Sequence, residues 1–320
     1  MRNAFVKTLL TLAQHHPNLW LMTGDLGFGV LEPFAERYPD RYINAGVAEQ
    51  NMLGVAAGLA LANPQNQIFT YSIGNFGTLR CLEQIRNDVC YHNLNIKIVA
   101  VGGGLAYGSH GYTHHAVEEL AILRTLPSMT VMAPGDPLET DWAVRQLALI
   151  SGPAYLRLGK AGEPQIHAQP IDPTHPLSEP FVLPSSHQGR LDVMLLSTGG
   201  MLEVAVSAAD RLALQGVFAQ VVSVPLLKPF PAQAIRSLIS NTKTQVIVTL
   251  EEHVPEGGLH SVVCQTLASS PNHPPVVAAA LMPEVVGKIG SQAYLRSLSG
   301  LSPEAVAASV FQQLAMCVKG

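Results

Sequence analysis

The sequence predicts an α/β protein made of two doubly wound domains, each with a mainly parallel sheet. The chain has 320 residues, which is about the length of two ordinary domains. Short apolar, β-branched runs alternate with longer segments of helical period, a pattern typical of parallel strands connected by helices. A proline-rich stretch divides this alternation into two parts. We therefore expect one domain over 1–162, a linker over 163–190 and a second domain over 191–320.

The apolar runs and the helical periods predict the elements of both domains in chain order. The expected strands are Leu19–Thr23, Ile68–Tyr71, Ile96–Val101, Thr130–Ala133 and Ala154–Leu158, followed after the linker by Asp192–Ser197, Ala219–Ser223 and Gln245–Leu250. The expected helices are Arg2–His15, Glu49–Leu61, Thr78–Tyr91, Ala116–Leu126, Pro137–Ile150, Met201–Gln215 and Ala232–Ser240. Pro17 ends the first helix, because proline cannot continue one.

The composition excludes several classes of protein. Charged residues make up 13% of the chain, against about 25% in an ordinary domain, so we expect large surfaces buried against partners. The most apolar stretch, Gly46–Ala62, contains Glu49 and cannot be one of the apolar runs of about 20 residues that span membranes. A net charge of −4 argues against nucleic-acid binding. The four cysteines lack a CxxC pair and no secretory signal is evident, which predicts a cytoplasmic protein with reduced thiols.

The most informative segment is Gly46–Ala60, an apolar helix with a single carboxylate, Glu49, at its start. Gly54 and Gly58 leave one face nearly smooth. Glycine inside a helix costs about 1 kcal/mol relative to alanine, so this face predicts a closely packed neighbour. Glu49 itself has two interpretations: a residue favoured by the helix dipole, or a buried carboxylate that shares a proton with a ligand nitrogen.

The segment Ala45–Ala60, AGVAEQNMLGVAAGLA, resembles the signature of the pyrimidine-binding domain of the transketolase family of thiamine-diphosphate enzymes. The likeness continues through further motifs in the same order, so that it covers most of the chain. These motifs are Thr113–His114, Leu123–Arg124, Met132–Pro134, Asp136, Val248–Glu252 and Gly257–Gly258. The resemblance implies that the glutamate at position 49 hydrogen-bonds N1′ of the cofactor's aminopyrimidine and so assists removal of the thiazolium C2 proton. The cofactor then acts as an electron sink.

The resemblance also implies that a second polypeptide carries the diphosphate-binding half of the enzyme. Transketolase and deoxyxylulose-phosphate synthase carry an additional N-terminal domain that binds the cofactor diphosphate and Mg²⁺ through a GDG motif and a later Asn. The Gly-Asp pairs here, Gly24–Asp25 and Gly135–Asp136, do not form that motif. We therefore expect an N-terminal, diphosphate-binding partner subunit that holds most of the Mg²⁺ contacts, and an α2β2 heterotetramer. No metal site is expected in this chain.

Further site residues follow from the same resemblance. Phe76 matches an aromatic residue that stacks on the aminopyrimidine, although a core phenylalanine is the alternative. Asp25 and Leu26 match an Asp-Leu turn that is folded toward the pyrimidine, or form an ordinary strand-end turn. His114 matches a histidine that contacts donor-sugar oxygens or assists proton transfer. His110 stands where relatives usually have Asp, which leaves the donor substrate open.

Cationic residues are expected to bind a substrate phosphate. Arg2 matches the arginine of the family's first helix, and Lys160 stands where a strand-end arginine is expected, although it could be a solvated lysine. A lysine holds phosphate as a point charge without the bidentate fork. Arg80 is a further candidate on the same side. Glu251–His253, at a strand end, is either an interdomain or cofactor-edge contact or a solvated cluster.

Together these features predict the C-terminal subunit of a split thiamine-diphosphate-dependent transketolase. Such an enzyme moves a two-carbon ketol unit between sugar or sugar-phosphate substrates, and is active only with its partner. Two enzyme alternatives are the β subunit of a 2-oxo-acid dehydrogenase E1 component and a deoxyxylulose-phosphate-synthase-like enzyme. A third alternative is a non-catalytic structural paralogue that keeps the fold.

Overall fold

The computed structural model describes residues 1–185, 189, 191–242, 244–270 and 272–317, and their strands form two sheets. In the order of the chain, the strands are β1 Leu19–Thr23, β2 Tyr42–Asn44, β3 Gln67–Ile73, β4 Ile96–Val101, β5 Thr130–Met132, β6 Ala154–Leu158, β7 Phe181–Val182, β8 Val193–Ser197, β9 Ala219–Ser223, β10 Leu226–Lys228, β11 Val246–Leu250 and β12 Val276–Ala279. The mainly parallel α/β class predicted from the sequence is confirmed.

Helices cover both sheets. In the order of the chain, the α-helices are α1 Arg2–Ala13, α2 Glu32–Arg37, α3 Glu49–Ala62, α4 Gly74–Gly77, α5 Leu82–Gln84, α6 Glu119–Thr125, α7 Pro137–Leu149, α8 Leu202–Ala213, α9 Ala232–Thr242, α10 Leu259–Leu267, α11 Gln292–Leu298 and α12 Pro303–Cys317. Among the described residues, no helix is long and apolar enough to cross a membrane.

The first sheet has seven strands in the order β10-β5-β6-β4-β3-β1-β2. All neighbours are parallel except β10, which runs antiparallel to β5. Its central strands β3, β4 and β6 are almost completely buried, as expected for a parallel sheet covered on both faces. The carboxyl ends of these strands lead into the turns and loops that carry the candidate site residues.

The second sheet has five strands in the order β12-β11-β8-β9-β7. The strands β8, β9, β11 and β12 are parallel, and β7 pairs antiparallel with β9. Strand β7 comes from the expected linker, and β10 leaves the second sheet to form an edge of the first. The two units are therefore joined by strand β10 as well as by the connecting segment.

Two expected helices differ from the structure. The segment Thr78–Tyr91 is not one regular helix but a 3-10 turn, the single turn α5 and a π-helical stretch, Ile85–Cys90. The expected helix Ala116–Leu126 begins only at Glu119, because Ala116 makes backbone bridges to Gly103 and Gly104. Three other helices end one or two residues earlier in the structure than expected. The expected ends are His15, Ile150 and Gln215.

Candidate active site

Glu49 is the first residue of α3 and its side chain is only 2% exposed. Its Oε1 accepts a hydrogen bond from the Ser72 hydroxyl at 3.3 Å, and its Oε2 pairs with Nη1 of Arg80 at 2.9 Å. Gly24 leaves room for this carboxylate, since a Cβ there would lie 3.1 Å from Glu49 Cγ. The helix N-terminus adds a favourable dipole. The structure thus combines the two interpretations of Glu49, because the residue begins the helix and is also buried.

Arg80 lies beside Glu49 rather than in a separate cationic group. Its guanidinium carbon stands 4.2 Å from the centroid of the Phe76 ring, and 44% of its side chain is exposed. Arg80 therefore covers one face of Phe76 and neutralises the buried carboxylate. Its contact with a substrate phosphate stays a prediction, since the structure shows only the ion pair with Glu49.

Phe76 faces the histidine-rich loop. Its ring meets His114 edge-on at 5.1 Å between centroids, and His114 lies 5.0 Å from His110. Burial, followed by the charges of His110 and His115, lowers the pKa of His114, which favours its neutral form. A neutral imidazole can both donate and accept a proton. Its Nδ1 already contacts the Thr113 hydroxyl at 3.0 Å.

The loop continues from His110 toward the two expected phosphate ligands. Tyr107 meets the His110 ring edge-on at 5.7 Å, and Nζ of Lys160 stands 5.5 Å from the Tyr107 centroid. Arg2 is close enough for its charge to oppose the rise in the pKa of Tyr107 that burial causes. The structure thus brings Glu49, Phe76, His114, His110, Lys160 and Arg2 into one continuous row.

Asp25 and Leu26 form the turn after β1. Asp25 has a left-handed backbone, φ 56°, and exchanges hydrogen bonds with Asn44, through its own N–H and its Oδ1. The backbone oxygen of Leu26 accepts from the Thr23 hydroxyl at 2.9 Å. This turn is built by specific side-chain bonds, and it lies next to Gly24 under the Glu49 carboxylate.

A buried ionic network joins the two sheets behind the loop. Arg157 pairs with the fully buried Glu119 at 3.1 Å and donates to the backbone oxygen of Glu252 at 2.9 Å. The Glu252 side chain accepts from the N–H of Leu105 and pairs with Arg296. The strand-end cluster Glu251–His253 is therefore an interdomain contact, and the solvated alternative is wrong. Burial raises the pKa of Glu251 to about 7 and lowers that of His253 to about 3.

Several of these residues were not expected from the sequence. Ser72, Tyr107 and Arg157 each lie next to a segment that the motifs single out, but none carries a pattern that would mark it. The close packing expected at Gly54 and Gly58 is wrong within this chain, since a Cβ at either position would meet no atom within 4 Å. Cys81 and Cys90 are buried free thiols and Cys264 is partly exposed. Within the described ranges, no group of three or more His, Cys, Asp or Glu is arranged to hold a metal ion.

Comparison with known proteins matches both halves of the chain. The transketolase pyrimidine-binding domain model covers residues 1–163, and the transketolase C-terminal domain model covers 186–306. An apulose-4-phosphate transketolase subunit of Phocaeicola vulgatus is 33% identical over 84% of this chain and 84% of its own length. The 6-deoxy-6-sulfo-D-fructose transketolase subunit SqwH of a Clostridium species is 33% identical over 96% of this chain and 92% of its own.

A solved structure described as a split gene transketolase, an inactive β4 tetramer, is 33% identical and superposes with a TM-score of 0.82. The alignment covers 98% of this chain and 97% of that one. Fold and site therefore define the class, an α/β protein that combines a pyrimidine-binding domain with a C-terminal domain. The chain belongs to the transketolase family, as the motif around Glu49 indicated.

Proposed function

We propose that this chain is the C-terminal subunit of a split, thiamine-diphosphate-dependent transketolase that moves a two-carbon ketol unit between sugar or sugar-phosphate substrates. The observation that carries the proposal is the buried Glu49 carboxylate at the start of α3, held by Ser72 and Arg80 beside Phe76. A structural paralogue has no need of a carboxylate buried in this way, because its burial costs free energy. The names of the two curated relatives support the same class of reaction.

The residues present fit the pyrimidine end of thiamine diphosphate. The Glu49 side chain packs directly on Gly24, where a Cβ would lie 3.1 Å from its Cγ, and among the described residues the buried Oδ1 atom of Asn75, next to Phe76, has no hydrogen-bond partner. Glu49 would hold a hydrogen bond at the ring nitrogen, while the Phe76 face not covered by Arg80 would stack on the ring. When bound, the cofactor supplies the carbon nucleophile and the electron sink of ketol transfer.

Arg80 and His114 have separate tasks in this proposal. Arg80 pairs with Oε2 of Glu49 and compensates the charge of the buried carboxylate. Oε1 of Glu49 has only the long contact with Ser72 and is the oxygen available for a ligand nitrogen. The neutral His114 would move a proton to or from a sugar oxygen, and His110 would orient the donor.

Arg2 and Lys160 would bind the anionic end of the sugar. Neither the Arg2 guanidinium nor the Lys160 ammonium has a hydrogen-bond partner in the part of the chain that the structure describes, and Nε of Arg2 is buried. Two cations without acceptors are a suitable site for a phosphate or sulfonate. Asp25 and Leu26 would support the pyrimidine from the turn beneath Glu49.

The surface around Glu49 supports the proposal of a partner subunit. Phe28, Val47 and Val55 are exposed apolar residues on the turn and helix that flank the carboxylate, and the smooth face at Gly54 and Gly58 is open. Exposed apolar patches commonly mark protein interfaces. We propose that an N-terminal, diphosphate-binding subunit covers this face, supplies the Mg²⁺ site and forms an α2β2 heterotetramer in the cytoplasm. The description of a solved relative as an inactive β4 tetramer supports the need for such a partner.

Substitution of Glu49 by glutamine tests the catalytic part of this proposal. The amide is nearly isosteric but cannot act as the carboxylate. In the complex with the partner, exchange of the cofactor C2 proton for deuterium should slow by about 10²–10⁴-fold, the usual contribution of acid–base assistance. NMR of quenched samples measures this rate without any sugar substrate.

The matched control is Glu83→Gln, because Glu83 is an exposed glutamate on the same irregular segment as Arg80. With this variant, the cofactor C2 proton should exchange at the wild-type rate. Equal rates for Glu49→Gln and wild type would remove Glu49 from the mechanism.

A further inference from the structure

The ring of Tyr107 is held by three residues in the segments that follow two neighbouring strands, β4 and β6. Gly102, directly after β4, has φ +84°, and a Cβ at this glycine would lie 2.2 Å from the Cδ2 and Cε2 atoms of Tyr107. The tyrosine ring therefore packs directly on the Gly102 backbone, and only glycine allows this contact. On its other sides the ring meets the edge of His110 and the ammonium group of Lys160.

The hydroxyl group of Tyr107 is unpaired within the part of the chain that the structure describes. In the described residues no backbone or side-chain group hydrogen-bonds to it, although the residue is half-buried. Arg2 and Lys160 beside it also have no acceptor among the described residues, and the nearby Glu163 carboxylate is already paired with the amino group of Met1 at 2.8 Å. A fixed donor, a guanidinium and an ammonium thus lie together with no acceptor of their own.

This arrangement suits one end of a sugar substrate. A tetrahedral oxyanion offers several acceptor oxygens, which two cations and one neutral donor can share. We propose that Tyr107 is a specificity-determining residue whose hydroxyl donates a hydrogen bond to the terminal oxyanion of the sugar, a phosphate or a sulfonate, next to Arg2 and Lys160. The inference rests on the proposed function, since it names the group that the same site recognises.

The substitution Tyr107→Phe keeps the ring on Gly102 and against His110, and removes only the hydroxyl. Steady-state kinetics of the assembled enzyme would use D-fructose 6-phosphate, 6-deoxy-6-sulfo-D-fructose and D-fructose as donors. We expect KM for the anionic donor that the enzyme uses to rise about tenfold with kcat nearly unchanged, since one hydrogen bond to a charged group is lost. KM for D-fructose should change by less than twofold. The two anionic donors distinguish a phosphate from a sulfonate as the natural group.

The matched control is Tyr112→Phe, a tyrosine of the same loop whose hydroxyl donates to Glu118 at 2.7 Å instead. It should leave all three KM values unchanged. If Tyr107→Phe raised KM equally for charged and uncharged donors, the proposal would be overturned, because the hydroxyl would then not recognise the anion.

A second measurement separates this inference from the proposed function. Calorimetric titration of the full chain with inorganic phosphate, at constant ionic strength, requires neither cofactor nor turnover. We expect Tyr107→Phe to bind phosphate about tenfold more weakly than wild type and Tyr112→Phe to bind it equally. If the wild-type complex transfers no ketol group but this difference is found, the proposed reaction fails while the anion site stands. Equal phosphate binding by wild type and Tyr107→Phe would contradict the anion contact.

Discussion

Lys97 on β4 carries an ammonium group that is completely buried in the first sheet. Its Nζ donates to the backbone oxygens of Ile150 and Gly152, at 2.9 and 2.6 Å, and thereby holds the end of α7 to the sheet. Burial lowers the pKa of Lys97 to about 7, from about 10.4 in an unfolded chain. At a pH between these two pKa values, the unfolded chain binds one more proton than the folded chain. The free energy of unfolding therefore rises with pH.

Replacement of Lys97 by methionine should therefore flatten the pH dependence of stability. Between pH 7.5 and 9.5, the free energy of unfolding of wild type should rise by about 1 kcal/mol per pH unit more than that of Lys97→Met, since one proton is worth about 1.4 kcal/mol per unit. Urea unfolding at several pH values measures both slopes. Lys7→Met, at an exposed position of α1, should keep the wild-type slope. Parallel pH profiles for wild type and Lys97→Met would show that Lys97 does not titrate in this range.

Individual site residues could be predicted only where a motif fixed them. Glu49 begins the helix that the motif predicts, and His114 lies in the glycine-rich loop against Phe76, while their catalytic roles stay predictions. The partner of Arg80 could not be predicted, because a side chain's direction depends on the helix type, and the segment after Thr78 passes through 3-10, α and π turns. The position of Tyr107 is not predictable from the sequence, because its ring packs on the backbone of Gly102, a contact that no hydrophobic periodicity indicates.

At the scale of elements, the buried parallel strands were the most predictable. Leu19–Thr23, Ile96–Val101, Ala154–Leu158 and Ala219–Ser223 have the predicted bounds, because a strand buried on both faces is a continuous apolar run between turns. Short edge strands such as β7 and β10 were missed. They are only two and three residues long, and their pairing is set by tertiary contacts rather than by local pattern. The helices α10 to α12 also lay beyond the elements expected in the second domain.

Helix α3 allows folding and assembly to be tested separately. Gly58 is exposed, and a Cβ there would meet no atom within 4 Å outside its own stretch of helix backbone in the described residues. Gly58→Arg should leave the isolated chain as stable as wild type or stabilise it by about 0.5–1 kcal/mol, because arginine is the better helix former. The same change places a charge on the smooth face and should abolish association with the diphosphate-binding subunit. Thermal unfolding and analytical ultracentrifugation of the mixture measure the two effects.

The control for this prediction is Gln233→Arg, an exposed position on helix α9 of the second domain. It introduces the same side chain away from the proposed interface and should not affect association. Normal assembly of Gly58→Arg with the partner would place the interface elsewhere.

For the molecule as a whole, the two sheets are tied together more firmly than a linker alone would allow. Strand β10 extends the first sheet with residues that follow β9 of the second, and the Arg157, Glu119 and Glu252 network is buried between them. Removal of one partner from a buried ion pair is usually strongly destabilising. The second domain thus supports the loop that carries Tyr107, His110 and His114, while the face around Glu49 stays open.

The central claim is that this chain supplies only the pyrimidine side of a shared cofactor site. Calorimetric titration with thiamine diphosphate and Mg²⁺ tests it most directly, first with the isolated chain and then with the chain mixed with its diphosphate-binding subunit. We expect no binding in the micromolar range by the isolated chain, because its Gly-Asp pairs do not form the family's diphosphate and Mg²⁺ motif, and clear micromolar binding by the mixture. Micromolar binding by the isolated chain, unchanged when the second subunit is added, would contradict the claim.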